Sequence, residues 1–192
     1  MKNYRLKIVS AILVLCIVSA ALLTSCAPAY KEQHTEENIA ASTSLGGEKA
    51  IAYFFLVEDG SAVMDICRED GKRIQRIELP VYSEFYACLD FEYAFDCTVF
   101  QDMNFDGEMD LYIPCSVTTA NLEGMAWLWD SDEERLVLSE ELSELYELTV
   151  FPDEKLITSQ DYSDPSAILC SEYKWEKGNL TKVGEYTVDL GA

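Results

Sequence analysis

Asp102-Met103-Asn104-Phe105-Asp106-Gly107-Glu108-Met109-Asp110 has the form D-x-N-x-D-G-x-x-D and lies between two apolar, strand-like segments. Whether it is helix or loop decides the fold around it. As a helix it would stack Asp102, Asp106 and Asp110 as like charges at i, i+4 and i+8, with Gly107 in the interior. As a loop, the same spacing offers oxygens from Asp102, Asn104, Asp106 and Asp110, with the Glu108 carbonyl between them, to a hard cation that needs six to eight. Gly107 supplies the sharp turn. Carboxylates this close repel strongly unless a cation neutralises them, so the stretch reads as a Ca²⁺ loop joining two strands. The other reading of these residues is an acidic Asx/Gly turn with no ion. Position 12 of an EF-hand loop, usually a bidentate Glu, is Ile113 here, so the likeness covers only the first nine positions.

Upstream, residues 1–25 carry Lys2, Arg5 and Lys7, then an apolar run from Ile8 to Leu23, then Leu23-Thr24-Ser25-Cys26. That is the layout of a signal peptide. It resembles the lipobox of bacterial lipoproteins, which implies cleavage before Cys26 and lipidation of its sulfur. The expected location is the extracytoplasmic face of a membrane, at the cell surface or in the periplasm. Loss of those three bases leaves 11 Lys+Arg against 35 Asp+Glu, a net charge near −24. Such a surface repels phosphate backbones, so nucleic-acid binding is not expected; divalent cations and basic proteins are the partners it would attract.

Residues 26–49 are polar and without apolar periodicity, which reads as a flexible tether holding the only histidine, His34. Residues 50–192 then read as one all-β domain. Strand-like runs cover 50–58, 62–68, 72–79, 81–91 and 93–101, with a tight turn at Asp70-Gly71. Beyond the loop, 109–114, 124–129, 135–138, 147–151, 155–160, 167–175 and 180–188 continue the pattern. Ser139 followed by Glu140 and Glu141 predicts a short capped helix over 139–146. Trp129-Asp130, a turn and Leu136 echo Trp175-Glu176, a turn and Leu180. Many short strands with regular turns point to a sandwich or a small propeller-like domain built of antiparallel hairpins.

Cys67, Cys88, Cys97, Cys115 and Cys170 contain no C-x-x-C pair and have no histidine near them, which argues against zinc. With no histidine in the domain, no G-x-S-x-G elbow, no S-x-x-K and no glycine-rich phosphate cradle, catalytic machinery cannot be assembled. A glycan-acting enzyme using a carboxylate pair, or a glycan-binding surface module, remains the alternative to a protein-binding role.

Gln75-Arg76-Ile77, the Gln101–Asp110 stretch, Trp127-Leu128-Trp129-Asp130, Leu142, Leu145 and Tyr173-Lys174-Trp175-Glu176-Lys177-Gly178-Asn179-Leu180 stand in an order that resembles a family of exported bacterial proteins. The family is known from the periplasmic immunity lipoproteins of bacteria that kill rivals by type IV secretion. The resemblance implies an all-β, propeller-like domain with one bound Ca²⁺. It also implies a non-enzymatic role, binding and inhibiting a basic peptidoglycan hydrolase of lysozyme type.

Overall fold

The computed structural model describes residues 34–56, 62–79, 91–117 and 121–191. The signal segment, Cys26, Cys88 and the strand expected over 81–90 lie outside the described residues. Among the described residues, twelve strands form three four-stranded antiparallel meanders, and the fold is all-β. The first sheet is β1 (Ile39–Leu45), β2 (Glu48–Leu56), β3 (Ala62–Arg68) and β4 (Arg73–Leu79) in sequence order. The second is β5 (Val99–Gln101), β6 (Asp110–Val117), β7 (Leu122–Asp130) and β8 (Arg135–Ser139), also in order. The third runs β12 (Asn179–Asp189), β11 (Ala167–Glu176), β10 (Leu156–Asp161), β9 (Thr149–Phe151).

The second sheet is the middle layer because its strands bury both faces. Along β6 and β7, Leu111, Ile113, Trp127 and Trp129 enter one core with Phe54, Met64, Ile66 and Ile77 of the first sheet. Their neighbours Tyr112 and Ala126 point the other way, into a second core with Met103, Leu142, Leu145 and Ile157. Period-two alternation therefore appears as a continuous apolar run, Met-Ala-Trp-Leu-Trp, since each parity has its own core. The Trp echo is a register echo: Trp129 pairs with Leu136 and Trp175 with Leu180.

Two sequence expectations are corrected. Residues 39–49, read as the end of a tether, are strand: β1 pairs with β2 through the Gly46-Gly47 turn, and Leu45 is buried in the first core. Its small and hydroxylated residues carry no apolar signal, and backbone pairing to a strong neighbour holds it. The run 93–101, read as one strand, is a helix, α1 (Phe91–Cys97), followed by the short β5. Ala94 is fully buried and Phe95 stacks on Phe54 with ring centroids 6.4 Å apart, while Asp96 and Cys97 are exposed. Thr98 closes the helix by donating its hydroxyl to the Ala94 carbonyl at 2.6 Å. The second helix, α2 (Glu140–Ser143), begins where expected, Ser139 Oγ accepting from Leu142 N at 3.3 Å.

Asp65 on β3 is fully buried and paired in a fork by Arg76, at 2.7 Å from Nε and 2.6 Å from Nη2. Arg76 also lies over the Phe55 ring. Among the described residues, Cys97 and Cys170 are free thiols; burial pushes the Cys67 thiol up to about 11.

Candidate metal centre

The loop between β5 and β6 is wound by its own side chains. Asp102 accepts from the N–H of Asp106 (3.2 Å) and of Gly107 (2.9 Å). Asn104 Oδ1 accepts from Asp106 N at 3.0 Å, and Asp106 Oδ1 accepts from Glu108 N at 2.8 Å. These bonds hold four oxygens of three side chains over one curl of backbone. The curl needs a left-handed residue twice, at Phe105 (φ 62°) and Gly107 (φ 96°). Phe105 tolerates the strain because its ring packs against the second core.

Asp110 does something different. It is fully buried, and its two oxygens accept from Met103 N (2.7 Å), Asn104 N (3.3 Å) and Trp129 N (2.8 Å). One carboxylate thus ties the loop's first turn and the neighbouring strand β7 to the head of β6. Burial pushes its carboxyl up to about 6, against the pull of those three N–H bonds. Glu108 reaches across to the first sheet, its carboxylate accepting from Gly46 N at 3.2 Å. Ile113, at the twelfth position, is in the first core and faces away from the loop.

The donor chemistry fits a hard cation. A carboxylate oxygen that accepts one N–H keeps a lone pair for a metal, so Asp102, Asn104 and Asp106 retain acceptor capacity on the inner side of the curl. The Asn104 side-chain NH₂ donates to Asp106 Oδ2 at 2.8 Å, an interaction that an ion at the centre would replace. Among the described residues, no three His, Cys, Asp or Glu side chains stand as a ready-made metal cage. Asp110 Oδ1 accepts a single N–H, from Trp129, while Oδ2 accepts two, so this carboxylate is committed chiefly to the backbone. Its role as the buried staple is invisible to sequence spacing, since D-x-N-x-D-G-x-x-D makes all four positions look alike.

The loop stands at the wall of a cleft that also includes Asp130, Glu140 and Trp175. Trp175 links the two, donating its indole N–H to the Met103 carbonyl at 2.8 Å.

No family model and no curated protein matches this sequence. Among solved structures, the chain is similar in fold to one described as "Structure of a Xanthomonas Type IV Secretion System related protein". The match has a TM-score of 0.51 at 19% identity and covers 78% of this chain and 81% of that one. The likeness is one of fold, the three-meander β architecture.

Proposed function

We propose that this protein is a lipid-anchored, extracytoplasmic Ca²⁺-binding module that works by binding a protein, restraining a basic peptidoglycan hydrolase, and that it catalyses nothing itself. The observation that carries the reading is the wound loop, with Asp102, Asn104 and Asp106 turned onto one curl of backbone at two left-handed residues. The Glu108 carbonyl completes the donors from the loop, and Asp110 holds the curl to β7. Ca²⁺ supplies neutralising charge that lets the acids stay together. The type IV secretion relation of the structural neighbour supports an envelope setting. The acidic balance supports a basic partner.

The test immobilises the protein and passes envelope and secreted extract over it in Ca²⁺, then in a chelator. The expected result is retention of a basic peptidoglycan hydrolase, released by the chelator and inhibited in proportion to added protein. Retention of nothing, or turnover of purified peptidoglycan by the protein alone, overturns the reading.

A further inference from the structure

The second core is open at one end. Leu128 on β7 and Trp175 on β11 pack against it, and beside them lies a cleft of about 750 Å³. Leu128, Trp175, Val137 and Leu138 give the cleft an apolar floor, the last two 39% and 42% exposed. Its walls are acidic: Asp106 from the loop, Asp130 and Asp132 from the β7–β8 turn, Glu140 and Glu141 at the start of α2. Among the described residues, no Lys or Arg lines it.

Some acids elsewhere are paired: Glu48 with Arg68, Glu69 with Lys49, Glu133 with Arg135 and Glu185 with Lys182. Among the described residues, none of the five cleft acids is in an ion pair. An apolar floor left wet inside a ring of unanswered like charges is the complement of a ligand with the opposite features.

We propose that this cleft is a docking surface for a basic protein segment, an extended stretch carrying Arg or Lys beside an apolar anchor. The proposal rests on the binding-module reading and names where the binding takes place. Charge selects the occupant. A chain of net charge −21 repels a second copy of itself, an acidic peptide and a phosphate backbone alike. A guanidinium matches paired carboxylates in a fork, and an aliphatic or aromatic anchor covers Leu138 and Val137. Asp106 belongs to both the wall and the loop, and Trp175 ties the floor to Met103, so the shape of the cleft follows that of the loop.

The probe is a synthetic nonapeptide with two arginines flanking a leucine in a glycine–serine background, titrated into the full chain. The expected result is amide-shift changes confined to residues 102–110, 128–141 and 175–178. Affinity should fall at least tenfold in Asp132→Asn/Glu140→Gln/Leu138→Ser, all three sites being exposed and so free of folding cost. A matched control, Glu36→Gln/Glu37→Gln/Val183→Ser, removes the same charge and an exposed aliphatic elsewhere and should change affinity less than twofold. Equal loss in both variants, shifts elsewhere, or no binding overturns the cleft. Full inhibition of a captured hydrolase by the cleft variant sinks the cleft and leaves the binding reading standing. A peptide that maps to the cleft while no hydrolase is captured does the reverse.

Discussion

Asp106 and Asp110 stand four residues apart and put the same carboxylate to opposite uses. Asp106 is exposed and organises the curl; Asp110 is buried and holds three backbone N–H groups. Asp110→Ala leaves those donors buried and unmet, a loss of about 3 kcal/mol or more at roughly 1–3 kcal/mol for each unsatisfied group. Asp106→Ala in chelator loses two exposed hydrogen bonds, from Glu108 N and Asn104 Nδ2, about 1–2 kcal/mol together. With Ca²⁺ the order of interest changes. At roughly 10⁻⁴–10⁻³ M affinity, millimolar Ca²⁺ adds on the order of 0.4–1.4 kcal/mol by mass action. Thermal melts with and without Ca²⁺ check both: Asp106→Ala should abolish the calcium-dependent rise while lowering the apo melting temperature less than Asp110→Ala does. A preserved rise removes Asp106 from the ligands.

A second carboxylate gives a pH signature. Asp161 Oδ1 accepts from Asn121 Nδ2 at 2.9 Å and Ser163 N at 2.8 Å, and the Ser163 and Asn121 bonds hold its carboxyl below the ordinary value. A depressed folded-state value means the stabilisation is present above about pH 4, the ordinary Asp range, and is lost as pH falls through the folded-state value. Urea midpoints measured from pH 6 to pH 3 should therefore fall more steeply for the native chain than for Asp161→Asn. Parallel curves would show that Asp161 adds nothing.

At the scale of the element, strands whose side chains alternate, or run apolar between two cores, were legible: β3, β4, β7, β11 and β12 fall where hydrophobic pattern and turn residues put them. So was the Ser139 cap, a local device read by local rules. α1 was not, because Phe91-Glu-Tyr-Ala-Phe-Asp-Cys has the aromatic content of a strand and only seven residues in which to show a helical period. β1 was missed for the opposite reason: Ala41-Ser42-Thr43-Ser44 has nothing apolar to alternate, and its place is set by its partner strand. Gly124, in the middle of β7, marks a third kind of hidden information. A Cβ there would collide with the Tyr112 hydroxyl and ring, so the glycine exists to let Tyr112 lie flat across the strand. Gly124→Ala should cost about 1–3 kcal/mol as overpacking, read from urea denaturation. Gly124→Ala with Tyr112→Leu should recover part of that loss. If the single variant is neutral, the close approach is not a constraint.

Taken whole, the molecule is three meanders with the middle one shared between two cores, and its motif loop ties the layers together. Asp110 reaches β7, Glu108 reaches the β1–β2 turn and Met103 receives the Trp175 indole N–H from the third sheet. The motif was legible as chemistry, but its part in joining the sheets depends on contacts up to 72 residues apart that spacing cannot reveal. Charge acts at this scale as well. A chain of net charge −21 is repelled by an anionic leaflet. The proposed anchor is lipid on Cys26, each buried CH₂ contributing about 0.8 kcal/mol and a second acyl chain turning marginal binding into stable anchoring. Cys26→Ala should move the protein from the membrane pellet to the soluble fraction, while the native chain should resist high salt and yield only to detergent. High salt screens charge but leaves acyl burial intact, so release of the native chain by salt, or retention of Cys26→Ala in the pellet, would assign the attachment to something other than lipid at Cys26.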